Sequence, residues 1–167
     1  MSRSVSQLTV ARKMRQFVRR SRIAAPVERV FRWHELPDAF EKLVPPGEPI
    51  RLLAHTGGIR DGARVELAIG PPLFRFRWSA EHSGYIEYRQ FRDIQVRGPF
   101  ARWEHTHIFE ADGPDACHLE DRIEYTLPLG FVGRWLLGGI IERKLERLFE
   151  YRHMVTREEN EAARPPE

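Results

Sequence analysis

Seven segments of the chain alternate apolar and polar side chains, which is the period of a β-strand with one buried face. In chain order they are 15–24, 49–54, 63–69, 73–82, 86–96, 102–110 and 117–127. The pattern is clearest in 102–110, where aromatic rings occupy every second position and charged or hydroxyl side chains lie between them. The short connections between the later segments predict an antiparallel sheet with one charged face and one aromatic face.

Helical periodicity marks three further segments. Residues 27–34 place apolar side chains at spacings of three and four, and residues 38–44 predict a second short helix. A longer apolar stripe predicts a C-terminal helix over 132–157, and it is formed by Leu137, Ile141, Leu145, Leu148 and Val155. The order of one strand, two short helices, six strands and a long helix indicates an α+β fold.

Turn positions predict which residues face each other across the strands. A turn at 98–101 places Asp93 opposite His105 and Phe91 opposite His107. Since paired residues project from the same side of a sheet, these four side chains are expected on the aromatic face.

Two further hairpins extend this prediction. A loop at 111–116 places Asp121 opposite one of the two histidines, and a two-residue turn at 83–84 places Phe74 near Asp93. The residues expected on the aromatic face form a predicted ligand-binding set. They are Phe74, Phe76, Trp78, Phe91, Asp93, Gln95, Trp103, His105, His107, Phe109, Asp121 and Tyr125.

The polar members of this set permit four interpretations, because buried ionisable groups cost several kcal/mol unless they are paired. The first is an internal network that holds strand register, and the second is recognition of a polar group of a ligand. The third is general acid–base catalysis, and the fourth is a metal site. The catalytic candidates are His105, Asp93 and Asp121. No metal ion or other cofactor is expected, because no second histidine-rich motif supports the His-x-His of 105–107.

Composition narrows the class of protein. A chain of 167 residues fits one domain, and no apolar run is long enough to insert stably in a membrane. The single cysteine, Cys117, excludes an intramolecular disulfide and a cysteine-rich zinc site, and it favours a cytoplasmic location. The glycines match neither a P-loop nor a Rossmann fingerprint, so a nucleotide-binding fold is not expected.

The net charge of +3 is concentrated at the N-terminus, where residues 1–22 hold seven basic and no acidic side chains. Residues 1–13 are interpreted as a disordered basic extension, 14–157 as the folded domain, and 158–167 as a disordered tail. The excess of arginine over lysine is attributed to codon usage, and no nucleic-acid partner is expected.

Three sequence motifs resemble a known superfamily. SRIAAPVERVFRWHELPDAFEKLVPP (21–46) is similar to the opening of ligand-binding and cyclase/dehydrase members of the START-like (SRPBCC, Bet v 1-like) superfamily. GPFARWEHTHIFE (98–110), followed by LEDRIEYTLPLG (119–130), resembles one bacterial subfamily with a GPFxxWxHxHxF motif. Its members stand alone or are fused to a nucleotide-sugar-epimerase-like domain.

The resemblance implies a helix-grip fold, in which a curved antiparallel sheet of six or seven strands surrounds the long C-terminal helix. It also implies a cavity that binds a hydrophobic or amphipathic small molecule, such as a lipid, an isoprenoid or a polyketide-like compound. One alternative is a cyclase/dehydratase-like enzyme that uses a His–Asp pair, and another is an interaction module for a partner enzyme of the epimerase type. The superfamily has no fixed catalytic set, and a monomer or weak dimer is expected.

Overall fold

The computed structural model describes residues 14–128 and 130–162, with only the backbone described in 130–136. The predicted basic extension, residues 1–13, and residues 163–167 of the predicted tail lie outside this part of the chain. In chain order the elements are β1 (Arg15–Ile23), α1 (Val27–His34), α2 (Ala39–Lys42), β2 (Ile50–Thr56), β3 (Arg64–Ile69), a 3₁₀ turn (Pro72–Phe74), β4 (Phe76–Ile86), β5 (Gln90–Arg97), β6 (Arg102–Ala111), β7 (Cys117–Thr126) and α3 (Gly130–Glu161).

The strands form one curved antiparallel sheet in the order β1-β7-β6-β5-β4-β3-β2. The first strand pairs with the last, from Arg15 opposite Tyr125 to Ile23 opposite Cys117, so the N-terminal segment closes one edge of the sheet. The long helix α3 packs across the concave face. The predicted helix-grip fold is confirmed.

Two apolar clusters secure the concave face. In the first, Phe31 of α1 is fully buried and packs edge-on against Phe109, with ring centroids 5.1 Å apart. In the second, Phe149 and Leu145 of α3 pack on Tyr125 of β7. Burying one such aromatic side chain stabilises the fold by about 1.5–3 kcal/mol, so the two clusters hold α1 and α3 firmly on the sheet.

The hairpin between β4 and β5 differs from the prediction. Gly84 has a φ of 64° and lies inside β4, where the pairing shifts register, and the chain reverses later, at Tyr88, which has a φ of 59°. The predicted turn at 83–84 was therefore wrong, because the glycine accommodates an irregularity within a strand. As a result His82, and not Phe74, lies opposite Asp93.

Helix α3 turns the predicted stripe toward the core: Leu145 is buried, and Ile141, Leu148 and Val155 pack against buried clusters. Its most buried side chains are Leu145, Phe149, His153, Thr156 and Asn160, which recur at spacings of three and four. The polar ones make hydrogen bonds: Asn160 Nδ2 donates to the Thr156 carbonyl at 2.7 Å. The helix continues to Glu161, so the predicted boundary at residue 157 was four residues too early for the helix.

No helix in the described part of the chain has the length and hydropathy that crossing a bilayer requires.

Candidate functional site

Strand pairing brings the predicted polar residues together. Asp93 on β5 lies opposite His105 on β6, and His107 lies opposite Asp121 on β7. The pairing of Asp93 with His105 was predicted from turn positions and is confirmed. For Asp121 the turns predicted either His105 or His107 as the partner, and the partner is His107. All four residues face the concave side, and the two histidines and Asp121 are buried.

Two histidines that the sequence analysis did not select complete the group. His82 of β4 places Nε2 2.8 Å from Oδ1 of Asp93, and His153 of α3 places Nε2 2.7 Å from Oδ2 of Asp121. His82 was missed because of the wrong turn between β4 and β5. His153 follows Phe149 by four residues on the buried face of α3, and that spacing was its only sequence signal. We call these residues the His–Asp cluster; its members are His82, Asp93, His105, His107, Asp121 and His153.

Each carboxylate of the His–Asp cluster meets three imidazoles. Oδ2 of Asp93 lies 3.5 Å from Nδ1 of His105 and 3.3 Å from Nε2 of His107, in addition to the contact of Oδ1 with His82. Oδ1 of Asp121 lies 2.8 Å from Nε2 of His105 and 2.7 Å from Nδ1 of His107. The last contact lies off the N–H direction of the ring, so it is an ion pair without a linear hydrogen bond.

Burial and charge act in opposite directions on these groups. Burial alone would raise the pKa of Asp121, but the charge of His107 and hydrogen bonds from the neighbouring imidazoles hold it well below its usual value. Burial opposes ionisation of Asp93 too, yet hydrogen bonds from His105, His107 and His82 keep the pKa of Asp93 well below the usual value. Both aspartates are therefore ionised at neutral pH.

One positive charge beside the two carboxylates lies on His107. Burial alone would lower the pKa of His107, but Asp121 and Asp93 raise it to about 9. The neighbouring ring of His34 shows the reverse, because burial, together with the charge of His107, lowers the pKa of His34 to about 4. His34 is neutral and its Nδ1 lies 2.8 Å from the Val30 carbonyl oxygen, so it belongs to the packing of α1.

A pocket of about 430 Å³ lies between the sheet and α3, beside the His–Asp cluster. Its walls are apolar and come from β2, β3 and β4 on one side and from α3 on the other. Asp93 and His105 reach the pocket lining, whereas His107 and Asp121 lie behind it. The polar pair therefore forms part of the pocket wall, and the rest of the His–Asp cluster supports it.

Five members of the predicted ligand-binding set line this pocket: Phe76, Trp78, Asp93, Trp103 and His105. Phe91 and Phe109 instead pack with Phe31 in the core. Tyr125 is fully buried beneath α3, and Gln95 donates a hydrogen bond to the Phe100 carbonyl at 2.9 Å.

The predicted position of Phe74 was wrong. It was expected on the concave face of a strand, but it ends the 3₁₀ turn Pro72–Phe74 and is 80% exposed. The Gly-Pro-Pro sequence before it continues into a helical turn, and the strand begins only at Phe76.

Arg152 of α3 is a pocket residue that the sequence analysis did not select. Its Nε donates to the Leu43 carbonyl at 3.3 Å, and its guanidinium carbon lies 5.1 Å from the ring centroid of Phe149. Burial lowers the pKa of Arg152, against the influence of Asp121 and Asp93, yet the group remains a cation. Within residues 14–128 and 130–162, no carboxylate forms a salt bridge with it, although it belongs to the pocket lining.

The comparisons with known proteins concern the family and the fold. The sequence matches the family model described as polyketide cyclase/dehydrase and lipid transport over residues 23–150. No curated protein sequence matches significantly.

Three solved structures illustrate the similarity of fold. Norcoclaurine synthase from Thalictrum flavum, in complex with dopamine and hydroxybenzaldehyde, is 12% identical with a TM-score of 0.72, covering 99% of this chain and 96% of that chain. A START superfamily protein from Mycobacterium smegmatis is 14% identical with a TM-score of 0.65, covering 89% and 99%. A nucleoside-diphosphate sugar epimerase from Corynebacterium glutamicum is 21% identical with a TM-score of 0.66, covering 85% of this chain but 28% of that chain. At these identities the likeness establishes the fold alone.

Proposed function

Since the chain belongs to the polyketide cyclase/dehydrase and lipid transport family, we propose that it binds a hydrophobic or amphipathic small molecule in the pocket beneath α3. A lipid, an isoprenoid or a polyketide-like compound has the required chemistry. The observation that carries the proposal is the pocket itself, whose apolar walls meet a small polar region. Its volume of about 430 Å³ is within the usual range of small-molecule sites.

The distribution of polar groups suggests how such a ligand is oriented. Leu67 of β3 and Leu145 of α3 are apolar members of the pocket lining, and Asp93, His105 and Arg152 are polar members of the same lining. An apolar body would contact the first group. A carboxylate, carbonyl or phenolic oxygen would accept a hydrogen bond from Arg152, because this cation has no salt-bridge partner among the described residues.

Filling the pocket tests the proposal directly. Leu67→Trp adds a large ring to the pocket, and Leu53→Trp is its matched control, because Leu53 lies on the neighbouring strand and is 43% exposed. With dodecanoate and the dye 1-anilinonaphthalene-8-sulfonate as probes, Leu67→Trp should weaken binding at least about tenfold, the effect of about 1.4 kcal/mol. Leu53→Trp should bind as the wild type does. Equal binding by all three proteins, with no mass co-purifying in native mass spectrometry, would refute the pocket as the binding site.

The guanidinium tests the orientation of the ligand. Arg152→Met removes the cation but keeps an apolar side chain of similar length, and it should weaken dodecanoate binding about 10–100-fold, since a charged hydrogen bond contributes about 1.5–3 kcal/mol. Binding of dodecanol should change much less. A similar loss for both probes would mean that Arg152 contributes packing and not charge.

A cyclase/dehydratase-like enzyme is the second candidate, because His105 lies at the pocket wall between two ionised carboxylates. General acid–base catalysis by His105 would make His105→Ala lower kcat by about 10²–10⁴ with the fold and substrate affinity retained. In a binding protein, the same substitution should cost only stability or affinity, about 1–3 kcal/mol. Kinetics and denaturation of this variant separate the two functions.

Association with a partner enzyme is a third candidate, supported by the similarity to one segment of a sugar epimerase. Size-exclusion chromatography with light scattering, alone and with an epimerase from the same host, tests this candidate and the expected monomer or weak dimer. A cytoplasmic location is also part of the proposal, since the one cysteine, Cys117, is a free buried thiol.

A further inference from the structure

We propose that Asp93, His105 and His107 bind a single divalent transition-metal ion at the wall of the pocket. Each side chain offers one ligand atom, and the three atoms lie within 4.8 Å of one another. Oδ2 of Asp93 is in contact with Nδ1 of His105 and with Nε2 of His107, which makes these three the proposed ligand atoms. Two neutral imidazoles and one carboxylate are a donor set that suits Zn²⁺ or Fe²⁺. The ion would therefore displace the proton that His107 carries in its absence. The proposal goes beyond the proposed function, because it requires no organic ligand.

The spacing of the donors suits an ion as well as it suits hydrogen bonds. Oδ2 of Asp93 lies 3.5 Å from Nδ1 of His105 and 3.3 Å from Nε2 of His107, both longer than the common N–H···O distance of about 2.9–3.0 Å. Ligand atoms at about 2.0–2.1 Å from a tetrahedral zinc ion lie about 3.3 Å apart. The two distances from Asp93 therefore match the edges of a metal coordination polyhedron.

Asp121 orients both imidazoles toward that position. Its Oδ1 contacts Nε2 of His105 at 2.8 Å and Nδ1 of His107 at 2.7 Å, which are the ring nitrogens opposite the proposed ligand atoms. A metal-bound histidine usually donates its other N–H to a carboxylate, which fixes the ring and its tautomer. Oδ1 of Asp121 accepts such a hydrogen bond from His105, whereas its contact with Nδ1 of His107 is a charge contact that lies off the N–H direction of that ring.

The two remaining histidines hold the carboxylates themselves in place. His82 contacts Oδ1 of Asp93 at 2.8 Å and leaves Oδ2 for the ion, and His153 contacts Oδ2 of Asp121 at 2.7 Å and leaves Oδ1 for the two imidazoles. Every member of the His–Asp cluster thus has a place in one metal site.

The site would also be open on one side. Asp93 and His105 line the pocket, and the Asp93 side chain is 20% exposed, so an ion can enter and its remaining coordination positions face the pocket. A water molecule or an oxygen of a bound ligand would complete the coordination. Three protein ligands with an open position are the arrangement of catalytic zinc sites and not of structural ones.

The test uses the full-length protein, treated with EDTA and dialysed, and Zn²⁺ and Co²⁺ as probes. Calorimetry should show saturable binding of one Zn²⁺ per chain, and Co²⁺ should produce visible d–d absorption that Zn²⁺ abolishes. At a free Zn²⁺ concentration of about a hundred times Kd, Tm should rise by about 5–10 °C.

Variants locate the ion. Asp93→Asn and His107→Gln each remove one proposed ligand and should weaken Zn²⁺ binding at least about 100-fold, since loss of an outer partner alone costs about 10–100-fold. The matched controls are Asp112→Asn, which affects an exposed ion pair with Arg22, and His118→Gln, on the opposite face of β7. Both controls should bind Zn²⁺ as the wild type does.

Two results would overturn the proposal. The first is the absence of saturable one-to-one binding to the wild type. The second is unchanged binding in folded Asp93→Asn or His107→Gln, which would indicate an adventitious ion only. If circular dichroism shows both variants unfolded, X-ray absorption of the Co²⁺-loaded wild type decides: two imidazole ligands support the site, and none or one refutes it.

Discussion

Replacing Asp121 by asparagine should destabilise the protein severely, because this residue carries the charge at the centre of the His–Asp cluster. Its side chain is 4% exposed and contacts His105, His107 and His153 at 2.7–2.8 Å. Asparagine has nearly the same shape, so packing is retained. The change removes the negative charge opposite imidazolium and turns one acceptor oxygen into an amide that faces ring nitrogens.

The expected magnitude follows from the burial of these partners. Removing one member of a buried ion pair costs about 3–5 kcal/mol, because the remaining charge stays in a poorly solvating interior. For a domain of this size each kcal/mol corresponds to about 2–4 °C, so Tm should fall by roughly 6–20 °C. EDTA is present throughout, so that bound metal does not contribute.

Asp112→Asn is the control, since it makes the same chemical change in an ion pair of similar length. Asp112 lies 2.6 Å from Arg22, but the two side chains are 44% and 58% exposed, and such pairs contribute less than about 1 kcal/mol. Urea unfolding of the wild type and both variants measures the difference. A loss below about 1 kcal/mol for Asp121→Asn would refute the idea that the cluster is held together by charge.

Three further predictions concern the scaffold. Phe31→Ala should lower the free energy of unfolding by about 3–5 kcal/mol, whereas Phe76→Ala should lower it much less, because Phe76 is 40% exposed. Similar losses for the two variants in urea unfolding would contradict the packing described for α1. Burial raises the pKa of Cys117 from 9.0 to about 11, so the thiolate fraction of the native protein at pH 8 should be about 100-fold lower than that of a free thiol. Rapid alkylation of the native protein by iodoacetamide at pH 8 would contradict this prediction. Gly84→Ala should lower the free energy of unfolding by about 1–2 kcal/mol, because φ is 64° and the added Cβ would lie 3.0 Å from Arg92 Nη2. An unchanged Tm in thermal unfolding would show that the irregularity in β4 needs no glycine.

Local patterns in the sequence were sufficient for the order of strands and helices and for four of the six members of the His–Asp cluster, while the helix-grip fold was implied by the family resemblance. Alternation placed β6 and β7 correctly and assigned His105, His107 and Asp121 to the concave face, because a strand's side chains must point alternately to its two sides. The pairing of Asp93 with His105 followed from the predicted turn at 98–101, because the position of a turn sets the register of the two strands it joins. These features depend on neighbours a few residues away, which a single sequence contains.

The rest of the site was decided by contacts between distant elements. A glycine inside β4 permitted an irregular strand in place of a turn, and this local choice determined that His82 meets Asp93. The rotation of α3 on the sheet placed His153 against Asp121 and Arg152 in the pocket, although neither residue belongs to an apolar stripe. Hydrophobic periodicity identifies a buried face only when its residues are apolar. The partners that offset the desolvation of a buried polar residue come from other strands and helices, and only the tertiary structure brings them together.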